Sequence, residues 1–213
     1  MKQEETEFLH FDPGQTPVPK FHALMLGAIA PRPIAFASTI DLQGRPNLSP
    51  FSFFNCFGAN PPILIFSPSR RGRDNTTKDT YENVKEVPEV VINTVSYKMV
   101  RKMNLASTQV PRGVNEFDLA GFTMERSDLV RPFRVRESAV HFECKVLQII
   151  ETGLQGAAGN LVICEVLRMH VNPSILSENG KIDPDKIDLV GRLGGDFYTR
   201  ASGSSLFELP KPD

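Results

Sequence analysis

Over much of the chain apolar and polar positions alternate with a period of two, and short runs with helical spacing separate these stretches. Ile34–Ile40, Asn47–Phe57 and Pro62–Ser67 give three successive strand signals, the first two joined by turn residues between Asp41 and Pro46. Glu89–Val95 is rich in β-branched residues and predicts a fourth strand. In Ala139–Ile150, Val140, Phe142, Cys144 and Val146 alternate against His141, Glu143 and Lys145, the period of a strand with one wet face. Leu161–Val171 is apolar on both faces, which predicts central burial or a subunit contact. Helical signals are shorter. His22–Ala30 is ended by Pro31 and Pro33, and Thr80–Val87 stops before Pro88. Ser96–Ala106 places Met99, Val100 and Met103 on one face, with Ser96 as its cap. Gln109–Asp118 is expected to be a loop. Antiparallel strands with small helices, no internal repeat and no regular βαβ alternation predict a mainly β barrel with helical additions rather than a doubly wound sheet.

Length fits this picture, since 213 residues suit one β-rich domain with a core that needs no metal or disulfide. Three prolines and a glycine between Phe11 and Pro19 predict an extended arm over residues 1–19. The domain then occupies 20–201, and 202–213 forms a tail. A net charge of −1, with acids and bases intermixed, offers no field that would attract nucleic acid or an anionic membrane. Met1–Glu7 is acidic and lacks the parts of a secretory signal, and no apolar run reaches the roughly 20 residues that span a bilayer, so the expected location is the cytoplasm. Cys56, Cys144 and Cys164 have neither zinc-site nor CxxC spacing and read as cytosolic thiols, the last two as small core residues.

The candidate chemistry begins with an anion. Ser67-Pro68-Ser69-Arg70-Arg71-Gly72-Arg73, followed by Lys78-Asp79-Thr80, sets hydroxyls and cations after a predicted strand and at a predicted helix start, where free N–H groups also favour a phosphate. A solvated basic loop is the competing reading of an isolated RRxR run. There is no GxGxxG after a strand, no Walker motif, no GxSxG elbow and no HExxH. His10, His22, His141 and His170 form no metal pattern, and His141 reads as a surface or hydrogen-bonded residue.

Arg32-Pro33-Ile34-Ala35-Phe36-Ala37-Ser38-Thr39 and Asn47-Leu48-Ser49-Pro50-Phe51-Ser52-Phe53-Phe54-Asn55 closely resemble, in order and spacing, the flavin reductase-like family. That family comprises FMN-binding split β-barrels and includes flavoredoxin and the reductase components of two-component monooxygenases. Further segments match it: Gly113-Val114-Asn115-Glu116-Phe117 with Ala120-Gly121, Glu137-Ser138 with Phe142-Glu143-Cys144, and Leu189 to Tyr198. The resemblance runs from about Leu24 to Tyr198, and it favours the phosphate reading over the solvated loop.

What the resemblance implies is specific. The fold is an antiparallel FMN-binding split barrel with a few short helices. Ser67, Arg70, Arg73, Lys78 and Thr80 lie near the FMN phosphate and ribityl chain, with Arg70 and Arg73 equal candidates for the phosphate. Asp79 orients a neighbour or meets a ribityl hydroxyl, because a carboxylate repels a phosphate. Arg32, Ser38, Thr39, Ser49, Ser52 and Asn55 serve the ring and upper ribityl region, Phe51 and Phe54 cover the ring, and Asn93 ends a strand near the pocket. The implied activity is NAD(P)H-dependent flavin reduction, with a monooxygenase as possible partner and a homodimer as assembly. A flavoredoxin-like electron carrier with tightly bound FMN is the alternative, followed by a non-catalytic flavin-binding protein.

Overall fold

A computed structural model describes residues 7–212 of the chain, so most of the acidic start lies outside the described residues. Helix α1 spans Val18–Ala28 and is followed by strands β1 (Ala35–Ile40), β2 (Pro46–Phe51), β3 (Phe54–Ala59) and β4 (Pro62–Phe66). Helix α2 (Asp79–Glu86) leads into β5 (Glu89–Asn93), and α3 (Val100–Leu105) and α4 (Glu116–Ala120) follow. Short strands β6 (Met124–Glu125) and β7 (Arg134–Val135) precede the long hairpin of β8 (Val140–Glu151) and β9 (Asn160–Val171). Helix α5 (Pro184–Ile187) and the hairpin β10 (Leu189–Arg192) and β11 (Tyr198–Ala201) complete the order. None of the described helices is long and apolar enough to cross a membrane.

Seven strands form one sheet in the order β2-β1-β5-β8-β9-β4-β3, and every neighbouring pair is antiparallel. The two edge strands, β2 and β3, are consecutive in the chain and joined only by Ser52 and Phe53. Three Cα steps reach at most about 11 Å. The sheet must therefore curl until its edges nearly meet, yet β2 does not pair with β3. This unpaired seam organises the molecule.

Burial follows from the curl. All six residues of β1 are buried, because Ala35 and Ala37 point to a cluster with Phe51, Phe66, Val84, Ile92, Cys144 and Cys164, while Phe36 points to one with Leu48, Met103, Phe117 and Phe122. At roughly 1.5–3 kcal/mol for each large apolar side chain removed from water, the two clusters supply most of the drive to fold.

Several boundaries differ from the sequence pattern. The run Asn47–Phe57 is two strands rather than one, since the chain leaves one sheet edge at Phe51 and founds the other at Phe54. Helix α1 starts at Val18 inside the expected arm, because a proline is tolerated in a first turn whose N–H groups have no helical partner. Ser96 makes no side-chain cap; its backbone bridges to Leu189, and a 3₁₀ turn over Tyr97–Met99 precedes α3. The expected loop Gln109–Asp118 runs into α4, capped by the Asn115 side chain on the Phe117 N–H and ended by Gly121 at φ +69°. On β8 the expected wet face is buried at His141 and Glu143. On β9 the first half alternates buried Val162 and Cys164 with half-buried Leu161 and Ile163, whereas Leu167 and Met169 are exposed.

Candidate functional site

A cavity of about 1040 Å³ opens along the seam. Its walls come from α1, from β2 with the Ser52–Phe53 link, from the loop between β4 and α2, from residues 106–110, and from the β8–β9 turn. The loop after β4 is held from two sides. The Ser67 N–H donates to the Phe53 carbonyl (2.9 Å), and the Ser67 hydroxyl accepts from the Asn160 N–H (3.1 Å). Arg70 and the β8–β9 turn exchange backbone bonds, Arg70 N–H to Ala158 (2.9 Å) and Ala157 N–H to Arg70 (3.2 Å). A Cβ on Gly156 would stand 3.0 Å from the Gly72 carbonyl, so glycine permits this approach.

Within the loop most cations are already engaged. Arg70 donates to the Asn75 side chain (2.8 Å) and carbonyl (2.7 Å), and Arg71 donates to the Thr76 hydroxyl (3.1 Å) and the Thr77 carbonyl. Arg73 reaches Gln109 (2.6 Å) and lies 3.3 Å from Asp74. Lys78 differs. Its side chain has no hydrogen bond or ion pair among the described residues, and its ammonium lies 5.0 Å from the Phe51 ring centroid. Burial, and then the neighbouring Arg71 charge, lower its pKa. The Ser69 hydroxyl in the same loop is buried without a partner. A half-buried ammonium and an orphaned hydroxyl beside a cavity suit a phosphate, and these residues fit one.

Below them lies a floor of side chains cross-linked by hydrogen bonds. Asn47 accepts from the Thr80 (2.7 Å) and Thr39 (3.2 Å) hydroxyls and donates to Glu116 (3.0 Å). Asn83 donates to Thr39 (3.2 Å), and the Leu48 N–H donates to the other Glu116 oxygen (3.0 Å). Burial raises the Glu116 pKa; the Leu48 and Asn47 donors offset this in part, and the nearby Asp79 charge adds to it. Helix α4 thus supplies an acceptor to an N–H on the free edge of β2.

Ten of the residues singled out in the sequence line this cavity: Arg32, Ser49, Phe51 and Ser52 from the first segment, and Ser67, Arg70, Arg73, Lys78, Asp79 and Thr80 from the second. Arg32 is also tied into the scaffold, and its Nε lies 3.4 Å from the Ser52 hydroxyl in the same cavity wall. It is 5% exposed and donates to the Leu26 (2.7 Å), Ile29 and Leu193 (2.8 Å) carbonyls, fastening α1 and the β10–β11 hairpin to the seam. Five of the residues do not line it. Ser38 and Thr39 are wholly buried in β1, Phe54 packs against the interior cluster, and Asn55 is exposed and accepts from the Cys56 N–H. Asn93 is a buried hub, donating to the Phe36 carbonyl (2.9 Å) and accepting from Val135 N–H (3.0 Å) and His141 Nδ1 (2.8 Å). Asn47, Arg71, Glu116, His22, Gln109 and Arg192 line the cavity without having been singled out as site residues. Arg71 and Glu116 lay inside quoted motifs, whereas nothing local marks His22 or Gln109.

A second polar cluster sits away from the cavity. Asp128, Glu143 and His170 bring one ligand-type atom each within 4.8 Å of one another. Arg134 lies 3.1 Å from His170 Nδ1, and since a guanidinium only donates, Nδ1 accepts and Nε2 carries the proton toward Glu143 (2.6 Å). That leaves no imidazole lone pair for a metal.

Fold and cavity define an antiparallel, mainly β protein with a cation-rimmed cavity at the seam of its sheet. Residues 26–184 match the flavin reductase like domain, and the chain belongs to that family of flavin-binding proteins. An uncharacterized protein of Aquifex aeolicus is 40% identical over 182 residues, covering 85% of this chain and 90% of the relative. Nitrilotriacetate monooxygenase component B from Bacillus cereus superposes with a TM-score of 0.88 at 28% identity, over 96% of this chain and all of that one. Flavoredoxin of Desulfovibrio vulgaris (Miyazaki F) shares the fold, with a TM-score of 0.71 at 23% identity over 84% and 90% of the two chains.

Proposed function

We propose that the protein is an FMN-binding split-barrel oxidoreductase that uses NAD(P)H to reduce flavin and supplies a partner monooxygenase. The observation that carries this reading is Lys78, a half-buried ammonium without an acidic partner beside the orphaned Ser69 hydroxyl at the edge of the cavity. Such a pair selects a ligand with a terminal phosphate. FMN, when bound, supplies two-electron chemistry at its ring. The chain's own residues do the rest: the loop after β4 binds the phosphate, β2 and Phe51 orient the flat body, and α1 excludes water from one side. The likeness to a monooxygenase component B supports the partner class.

A homodimer is part of the same proposal. Phe57 on β3, Leu147 and Ile150 on β8, and Leu167 and Met169 on β9 expose apolar surface, which a second subunit would cover. Light scattering then gives about twice the 23.7 kDa chain mass. The cytoplasm, as a reducing compartment, suits three unpaired cysteines.

Aerobic oxidation of NADH and NADPH with added FMN tests the activity. Oxidation that rises with FMN supports a reductase. A protein that keeps a flavin spectrum through gel filtration but fails to oxidise either dinucleotide would be an electron carrier of the flavoredoxin kind instead.

A further inference from the structure

The cavity floor holds a group that the phosphate does not explain. Glu116 is 5% exposed, lines the cavity, and has no cation within ion-pair distance among the described residues. Its oxygens accept from Asn47 and from Leu48 N–H, its own N–H adds a third donor, and a carboxylate accepts about four. Burying an unpaired carboxylate is costly, and Asp79, which also lines the cavity, adds like charge. Asn47 cannot turn to relieve it, because two threonine hydroxyls fix its carbonyl. The floor is thus acceptor-rich, whereas the rim is cationic. Ligand hydroxyls complement such a floor, since each donates without adding charge.

We propose that Glu116 is a specificity-determining residue that reads a hydroxyl of the ligand's side chain, so that the site selects a polyol-bearing flavin. This rests on the flavin reading above and adds to it a residue and a ligand group. Stitching α4 to the edge of β2 would by itself account for the two existing bonds, so the test must read the ligand's hydroxyls.

Riboflavin and its single-deoxy side-chain analogues are titrated into the full-length protein by flavin fluorescence, with wild type and Glu116→Gln in parallel. One analogue should bind wild type about tenfold or more weakly than riboflavin, as expected for a lost hydrogen bond to a charged group. In the variant that penalty should fall below about threefold. Analogues that all bind wild type like riboflavin overturn the proposal without any variant, as does a penalty that persists unchanged in the folded variant. Glu116→Asp, which keeps the charge but withdraws it by one methylene, serves the same comparison if the Gln variant does not fold. Binding of neither riboflavin nor FMN would instead remove the flavin reading itself.

Discussion

Two buried carboxylates stand in contrasting surroundings. Glu143, inside the sheet, accepts from the Asp128 (2.8 Å) and Leu129 (2.6 Å) N–H groups and from His170 (2.6 Å). Burial pushes its pKa up, but these donors outweigh burial and hold it below the ordinary carboxylate range. Glu116, at the cavity floor, has the Leu48 N–H, its own N–H and Asn47 as donors, and burial prevails over them. The segment 125–135 folds over Glu143 and supplies two of its three donors, which with His170 overcome burial, whereas the donors around Glu116 do not. A fully satisfied charge belongs to the scaffold, and one left short of partners beside a cavity points outward to a ligand.

The contrast breaks most visibly at Glu143. Glu143→Ala strips two N–H groups and His170 of their acceptor and should cost about 3–5 kcal/mol in urea denaturation. Flavin affinity in the protein that remains folded should stay within about threefold. A loss below about 1 kcal/mol would mean that the cluster is not the sealed unit its distances describe.

Next comes pH. Burial, together with the Arg134 and His170 charges, lowers the pKa of His141 to about 4. The unfolded chain takes up a proton near pH 6.5 that the native imidazole refuses, so this contribution is complete above pH 6.5 and lost as pH falls toward 4. Urea midpoints converted to free energy should fall by about 2 kcal/mol between pH 7.5 and 5. His141→Gln should flatten that slope; an unchanged slope assigns the effect elsewhere.

Lys78→Ala sharpens the other side of the comparison. FMN affinity should drop by roughly tenfold to a hundredfold, equivalent to about 1.5–3 kcal/mol, with riboflavin affinity unchanged. Stability should hold or rise, because an uncompensated half-buried charge is removed. Equal losses for the two flavins would detach Lys78 from the phosphate.

The strand pattern and the cation-bearing loop are legible in the chain, whereas the contrast between the two carboxylates is not, for physical reasons. The proposed phosphate loop is legible because its hydroxyls and cations are neighbours in sequence and follow a strand ending at Phe66. Glu116 lies in the Gly113–Phe117 segment with nothing local to mark it, since its hydrogen-bond partner Asn47 is 69 positions away. The period of β8 was read well, but its polar face was taken as wet because the covering segment is a tertiary neighbour. Likewise Ser38, Thr39 and Asn93 carry the right chemistry for a ligand, yet alternation cannot say which of two buried faces looks into a cavity. The break at Ser52–Phe53 is invisible to periodicity, since apolar and small residues continue through it.

That break also limits how the cavity can change shape. A covalent tether of two residues caps the distance between the sheet's free edges, so breathing of the strands cannot widen the aperture by much. Traffic must pass instead beneath the parts laid over it. Those parts are helix α1, which buries no residue and is held through the Arg32 bonds to Leu26 and Ile29, and the 106–110 strap, joined to the loop after β4 by the Arg73–Gln109 bond. The fold thereby separates a frame of fixed gauge from a cover held to it by a few polar bonds.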